Sequence, residues 1–225
     1  VYNGLDSVNV SIDTLDPERY RKVTRGGCVE KALKGLAAAA AFPDVRVKVN
    51  CVPLKDAQEE EYIQLALLAK DGRADVRFIE MMPIGMGKIF SGRSSEEICS
   101  ILKRTFGEPE QYRGRLGNGP AVYMQFPGFR KKVGFISAVS HQFCGGCNRV
   151  RLTSEGYMKP CLQYGNGVDL RAMLRSGAGD DEICETMRDI VFEKPACHQF
   201  SADAGRKANA GATLDAAEKT NADAV

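Results

Sequence analysis

Three short segments in the first part of the chain alternate apolar and polar side chains. They are residues 5–13 (LDSVNVSID), 45–52 (VRVKVNCV) and 75–82 (DVRFIEMM), and a period of two residues is typical of a β-strand. Helical patterns separate the three segments, at residues 18–25, 28–42 and 56–70. Strands that alternate with helices form right-handed crossovers and a parallel sheet, so the sequence predicts an α/β fold.

The three predicted strands carry more polar residues than parallel strands usually do. Parallel strands are normally apolar on both faces because helices cover both faces of the sheet. We therefore expect one face of this sheet to line a wet cavity, with functional residues near the C-terminal ends of the strands. The residues placed for that role are Ser11, Lys48, Glu80 and Met82. For any single strand, the alternative is a solvated strand at the edge of the sheet.

The second half of the chain has a different pattern. A capping sequence at Ser94 begins a helix that ends near Phe106, and the glycine-rich stretch 107–120 that follows predicts a domain boundary. Beyond it the sequence predicts antiparallel hairpins and a late helix, at residues 121–126, 132–137, 149–153 and 180–192. The predicted divisions are 1–106, 107–200 and a tail at 201–225 that we expect to be disordered.

Composition narrows the class of protein. Hydrophobic residues make up 44% of the chain, charged residues 27%, and the net charge is +2, so no global preference for nucleic acid or a membrane is predicted. The longest apolar run has seven residues, from Leu36 to Phe42, far too few to cross a bilayer. We expect a cytoplasmic protein.

The chain begins at Val1 with the hydrophobic pattern under way by Leu5, so we also expect a missing N-terminal part.

Three cysteines form the most specific motif in the sequence. Cys144 and Cys147 make a C-x-x-C pair, and Cys161 follows after 13 residues. Thiolates bind Zn²⁺ and iron–sulfur clusters, so the spacing predicts one of two sites. One is a Cys₃His zinc site with His141 or His198, and the other is a cubane cluster with one open iron. The remaining cysteines are expected to be small buried hydrophobes: Cys28, Cys51, Cys99, Cys184 and Cys197.

Two arginines stand directly beyond the cysteine pair. Arg149 and Arg151 are two residues apart in a predicted strand, so both guanidinium groups are expected on one face. A pair of arginines beside an open metal site is suited to phosphate or carboxylate. The alternative is that both are solvated surface charges.

Five segments, in this order, resemble one family: V-N-V-S-I-D, R-V-K-V-N, V-R-F-I-E-M-M-P-I-G, F-C-G-G-C-N-R-V-R-L and K-P-C-L. The chain resembles the molybdenum cofactor biosynthesis protein A family, the radical S-adenosylmethionine GTP 3′,8-cyclases, from about residue 5 to about residue 200. The resemblance implies the C-terminal half of a partial (β/α)₆ TIM barrel, followed by an α+β region that holds a 4Fe–4S cluster. It also implies conversion of GTP to (8S)-3′,8-cyclo-7,8-dihydroguanosine 5′-triphosphate, a lyase reaction.

The resemblance assigns roles to individual positions. It implies that the cluster ligands are Cys144, Cys147 and Cys161, and that GTP is bound by Lys48, Arg149 and Arg151. It implies contacts to S-adenosylmethionine from Ser11 and Met82, and it assigns no catalytic residue. The expected partners are GTP, S-adenosylmethionine, a second copy of the chain in a possible homodimer, and a cyclic pyranopterin monophosphate synthase that receives the product.

Two features depart from the family pattern. The C-x-x-x-C-x-x-C motif of the radical-generating cluster does not occur in this sequence, and A-D-A-V ends the chain in place of the family's double glycine. We therefore expect an N-terminally truncated chain that is inactive alone. S-adenosylmethionine and a second 4Fe–4S cluster would belong to the full-length protein. The alternatives are a zinc-stabilised Cys₃His binding module and another radical S-adenosylmethionine enzyme with an auxiliary cluster.

Overall fold

The computed structural model describes residues 4–114 and 116–200, and the tail expected to be disordered lies outside them. The strands in these residues are β1 (Ser7–Ser11), β2 (Arg46–Cys51), β3 (Asp75–Ile79), β4 (Glu110–Tyr112), β5 (Val122–Gln125), β6 (Val133–Ile136), β7 (Arg151–Leu152), β8 (Tyr157–Lys159) and β9 (Val168–Asp169). The α-helices are α1 (Pro17–Val23), α2 (Val29–Ala40), α3 (Glu59–Lys70), α4 (Ser95–Phe106), α5 (Leu170–Ser176) and α6 (Asp180–Phe192). None of these helices is long and apolar enough to cross a membrane.

The main sheet has six strands in the order β1-β2-β3-β6-β5-β4. Strands β1, β2, β3 and β6 are mutually parallel, and β4, β5 and β6 form an antiparallel meander. The parallel core of the sheet, with helices between its strands, confirms the predicted α/β class. The parallel pairing of β6 with β3 was not predicted, because residues 132–137 read only as one arm of a hairpin.

Side-chain alternation divides the parallel strands into two unlike faces. On one face, register aligns Val49 with Val76 and Val76 with Val133, and all three are fully buried. Phe78 lies on the same face, in edge contact with Tyr62 of α3 and stacked on Phe135 of β6, with ring centroids 6.1 Å apart in both pairs. This apolar face and the helices that pack on it form the hydrophobic core.

The chain divides into two compact units, residues up to His141 and residues 142–199. The first unit contains the six-stranded sheet and α1–α4, and the second contains the β7-β8-β9 sheet with α5 and α6. The boundary predicted after residue 106 falls inside the first unit, because β4, β5 and β6 continue the sheet of β1–β3.

A buried carboxylate connects three segments of the first unit. Glu80 directly follows β3 and is 4% exposed. Its carboxylate accepts hydrogen bonds from the backbone N–H of Ser95 (2.9 Å), Val139 (2.8 Å) and Ser140 (2.8 Å), and from the Ser140 hydroxyl (2.6 Å). Glu80 was expected on the polar face, but its alternation places it with Val76 and Phe78. It joins the end of β3 to the start of α4 and to the loop after β6.

These hydrogen bonds also decide the charge state of Glu80. Burial on its own raises the pKa of a carboxyl group, but the hydrogen bonds from Ser140, Ser95 and Val139 outweigh it and hold the pKa of Glu80 below its ordinary value. The group is therefore a carboxylate at neutral pH.

We expect Glu80→Gln to lower the free energy of unfolding at neutral pH by about 1–3 kcal/mol, because an amide N–H then faces buried donors. The pKa of Glu80 is lower in the folded protein than its ordinary value of about 4.3, so the wild type loses this stabilisation as the pH falls from about 4.3 toward the folded pKa. The difference in stability between wild type and variant should therefore narrow in that pH range. Denaturant titration at several pH values measures both effects. Glu60→Gln, at an exposed carboxylate on α3, is the control, and equal stability of the two variants at neutral pH would contradict the assignment.

Candidate functional site

A polar face lies on the side of the main sheet opposite the core. It consists of Asn9 and Ser11 of β1, Lys48 and Asn50 of β2, and Arg77 of β3. The register pairs Asn9 with Lys48, Ser11 with Asn50, and Asn50 with Arg77, which places all five side chains on one side. The predicted polar face of the sheet is thus present, and it includes two of the predicted site residues, Ser11 and Lys48.

Arg77 organises this polar face, and it was missed in the sequence. Its Nε donates to Asn50 Oδ1 and its Nη2 to Asn9 Oδ1, both at 2.7 Å. One guanidinium thereby connects all three strands. The available signal was its position, since Arg77 alternates with Val76 and Phe78 and falls in the same register row as Asn50 and Ser11.

Lys48 is a buried cation on the polar face. It is 6% exposed, and its ammonium group makes no hydrogen bond with any residue that the structure describes. Burial, followed by the positive charges of Arg77 and Arg46, lowers the pKa of Lys48, and the charge of Asp75 only partly opposes this. A desolvated ammonium group without a bonded partner is well suited to receive an anionic ligand.

The glycine-rich stretch after α4 reaches Lys48. A Cβ atom on Gly117 would lie 3.1 Å from Lys48 Nζ, and the φ angle of Gly117 is +108°, which other residues rarely adopt. Glycine at this position therefore allows the loop to lie directly against the ammonium group.

Ser11 lies at the C-terminal end of a parallel strand, as predicted, whereas Met82 lies beyond one, because the strand predicted over residues 75–82 ends at Ile79. Ser11 is the last residue of β1, and half-buried Met82 lies three residues beyond the end of β3. The chain turns back at Met82, whose carbonyl accepts a hydrogen bond from the N–H of Ile84 at 2.8 Å. Their assignment to S-adenosylmethionine stays a prediction.

A cavity of about 380 Å³ opens beyond the end of β3 in the first unit. Its lining includes Glu80, Phe90 and Arg93. The Arg93 guanidinium lies over the Tyr62 ring at 5.7 Å and donates from Nη2 to the carbonyl of Ala57 at 3.1 Å. These two contacts hold the Arg93 side chain in the wall of the cavity.

All three motif cysteines belong to the second unit. Cys144 begins a 3₁₀ turn (Cys144–Gly146), Cys147 follows that turn, and Cys161 lies just beyond β8. All three are half-buried free thiols. Burial, followed by the electrostatic influence of Cys197, Cys161 and Cys144, raises the pKa of Tyr164.

A single zinc ion and a cubane cluster make different demands on the three thiols. In residues 4–114 and 116–200, no three His, Cys, Asp or Glu side chains are arranged around a position for a single metal ion. A cubane cluster binds each thiolate at a different iron, so its ligands need not converge on one point. Two of the sulfurs also accept hydrogen bonds, Cys144 from the His198 N–H at 3.3 Å and Cys147 from Lys194 Nζ at 3.4 Å. Three half-buried thiols, two of which accept N–H···S contacts, are donors of the type that an iron–sulfur cluster takes.

The histidines and the other cysteines differ from expectation in part. His141 belongs to the first unit, where its Nδ1 is 3.1 Å from Ser140 Oγ and its Nε2 is 4.0 Å from Glu96. Cys51 is buried and Cys99 is half-buried, but the predicted burial is wrong for three thiols that are exposed: Cys28, Cys184 and Cys197. Cys28 precedes α2 and Cys184 lies on α6, a helix with no buried residue, so neither has a core to enter.

Arg149 and Arg151 are exposed cations directly beyond the cysteine pair. Strand β7 begins at Arg151, so Arg149 precedes it, and the predicted strand from residue 149 is shorter than expected. Neither side chain makes a hydrogen bond or ion pair with a residue that the structure describes. Both guanidinium groups are therefore available to an anion.

Comparison with known proteins relates both units to one family. Residues 74–200 match the family model described as Molybdenum Cofactor Synthesis C. A GTP 3′,8-cyclase of Clostridium perfringens is 42% identical over 198 residues, and one of Heliobacterium modesticaldum is 41% identical over 200. A third, of Moorella thermoacetica, is 38% identical over 200 residues. Each alignment covers 88% of this chain and 61% of the relative, so the chain spans about three fifths of the length of these curated proteins.

We expect Lys48→Met to raise the melting temperature, because it replaces a buried, unbonded charge with an apolar side chain of similar length. The lowered folded pKa also means that wild-type stability rises with pH between that pKa and about 10.4, the ordinary value, since the unfolded chain then binds more protons. The variant should lack this rise. Thermal melting as a function of pH tests both, with Lys34→Met on the exposed side of α2 as the control. A Lys48→Met protein less stable than wild type would contradict this view of the polar face.

Proposed function

This chain belongs to the Molybdenum Cofactor Synthesis C family, and from that membership we propose that it carries the GTP-binding and cluster-binding part of a GTP 3′,8-cyclase. The observation that supports the proposal is the content of the second unit, which carries three half-buried thiols and two exposed arginines whose guanidinium groups make no hydrogen bond or ion pair with a described residue. The parallel strands of the first unit, with their polar face, are proposed to be part of a partial (β/α)₆ barrel.

The proposed ligands of a 4Fe–4S cluster are Cys144, Cys147 and Cys161. Held by three protein thiolates, the cluster would supply an iron with one open position for a substrate atom. Partial burial limits access of water and oxygen to the three sulfurs, and the 3₁₀ turn sets the separation of the first two. The neighbouring N–H donors match the hydrogen bonding that tunes such sites.

The proposed GTP-binding cations are of two kinds. Arg149 and Arg151 are exposed, with planar guanidinium groups that match the oxygen geometry of a phosphate. Lys48 is buried and held against Gly117, so its charge lies at a fixed position on the polar face. At the arginines a phosphate would displace water, and at Lys48 it would give an unpaired ammonium group a partner. Each charge-assisted hydrogen bond formed in this way contributes roughly 1.5–3 kcal/mol.

The proposed reaction converts GTP to (8S)-3′,8-cyclo-7,8-dihydroguanosine 5′-triphosphate, with S-adenosylmethionine as the source of the radical. Ser11 and Met82, at the ends of β1 and β3, are proposed to contact S-adenosylmethionine. The sequence contains no C-x-x-x-C-x-x-C motif, so we propose that its motif cysteines hold one cluster of this kind. We propose that it is inactive without a partner segment that supplies the second.

Anaerobic reconstitution with iron and sulfide should load one oxygen-sensitive 4Fe–4S cluster per chain. Replacing Cys144, Cys147 or Cys161 with Ala should abolish it, because each thiolate holds a different iron, whereas Cys184→Ala should load like wild type. Iron and sulfide analysis with electron paramagnetic resonance after reduction measures the result. Stoichiometric zinc without iron would favour the Cys₃His binding module instead.

Removal of both exposed guanidinium groups, in the double variant Arg149→Ala with Arg151→Ala, should weaken GTP binding by about tenfold or more. The loss of charge-assisted phosphate contacts is the reason. Isothermal titration of the cluster-loaded protein gives the dissociation constant, and Arg175→Ala, on the exposed surface of α5, should leave it unchanged. Equal affinity in the double variant and wild type would exclude the two arginines as GTP ligands.

A further inference from the structure

The segment that follows α6 contacts every part of the second unit that carries a motif cysteine. This segment, residues 194–199 (KPACHQ), is here called the clamp. Helix α6 ends at Phe192, and Pro195 cannot continue a helix, so Lys194 is the last side chain before the chain direction changes. The clamp is therefore held at its start by a helix of 13 residues.

The Lys194 side chain hydrogen-bonds to the loop that carries Cys147. Its Nζ donates to the carbonyl of Cys147 at 2.8 Å and to the carbonyl of Arg149 at 2.9 Å, and it lies 3.4 Å from Cys147 Sγ. One ammonium group can donate three hydrogen bonds, and all three are used here. The same side chain thus fixes the backbone between the cysteine and the first arginine, and places a positive charge beside the sulfur.

The far end of the clamp contacts the first cysteine. The backbone N–H of His198 donates to Cys144 Sγ at 3.3 Å, and the carbonyl of His198 accepts from Gln142 Nε2 at 3.2 Å. His198 is buried, at 6% exposed. Both backbone polar groups of His198 are therefore bonded to the chain around Cys144, to Gln142 and to the Cys144 sulfur.

The clamp also binds the stretch after the third cysteine. The Tyr164 hydroxyl donates to the carbonyl of Cys197 at 3.0 Å, and the N–H of Gln199 donates to Gln163 Oε1 at 2.7 Å. The residues that hold the clamp here lie two and three positions beyond Cys161. Six residues thereby connect the chain before Cys144, the loop after Cys147 and the chain after Cys161.

We propose that the clamp sets the position and the reduction potential of the cluster, with Lys194 as its principal positioning residue. This inference rests on the proposed function, because it needs a cluster on the three thiolates. A hydrogen bond from a cation to a ligating sulfur withdraws negative charge from that sulfur, which favours the reduced cluster and raises its potential. The two bonds to carbonyl groups keep the ammonium at the sulfur when the cluster gains an electron.

The cluster test compares four loaded proteins: wild type, Lys194→Met, Lys194→Arg and Arg188→Met. One electron from dithionite reduces the cluster, and a potentiometric titration followed by electron paramagnetic resonance gives the midpoint potential. In Lys194→Met the ratio of reduced to oxidised cluster at a fixed potential should fall about tenfold, which is about 59 mV for one electron. Lys194→Arg, which keeps a charged donor, should recover most of this, and Arg188→Met, which removes a charge from α6, should match wild type. An unchanged potential in Lys194→Met would overturn the tuning role.

A second measurement needs no cluster. Hydrogen–deuterium exchange of the metal-free chain should show faster exchange at residues 144–149 in Lys194→Met than in wild type, while Lys194→Arg and Arg188→Met stay close to wild type. Unchanged exchange in that loop would overturn the positioning role. Because this readout is independent of iron, it still tests the clamp if the wild-type chain binds zinc, an outcome that would instead contradict the proposed function.

Discussion

Side chains in a parallel strand point alternately to the two faces of the sheet, and this constraint determines what the first unit can do. In β1, β2 and β3 the apolar positions coincide in register, so that residues such as Val49, Val76 and Phe78 form one continuous buried layer. The remaining positions must then share the opposite face, whatever their chemistry. Asn9, Lys48 and Arg77 are therefore neighbours because the core on the other side needs their strands in this register.

The same constraint explains which parts of the first unit could be predicted. A period of two is a local signal, so β1, β2 and β3 and their polar face were predictable from the sequence. The pairing of β6 with β3 depends on which edge of the sheet a later strand joins. No local sequence pattern predicts that edge. Glu80 shows the same limit in one residue, because its partners are backbone N–H groups of Ser95, Val139 and Ser140, which have no sequence signature. Short elements such as β4 and α5 also lack a full period of apolar residues.

In the second unit the motif identified the three cysteines but not what surrounds them. The contacts of Lys194 with Cys147 and of His198 with Cys144 span 47 and 54 residues of sequence. Contacts of this kind depend on where α6 ends relative to the cysteine loop. The spacing of C-x-x-C is a local feature, because both thiols belong to one short turn. A hydrogen-bond donor to sulfur can come from any segment, so only the structure identifies it.

The two units hold their cations in opposite ways, and the difference has a physical consequence. Arg149 and Arg151 are solvated, so the free protein loses little by carrying them, but an anion must first displace their water and order their side chains. Lys48 is already desolvated and ordered, so burying its charge lowers the stability of the free protein, and the proposed binding of an anion would offset that loss. A charge-removing substitution at Lys48 should accordingly separate stability from affinity. The same substitution at either arginine should change affinity alone.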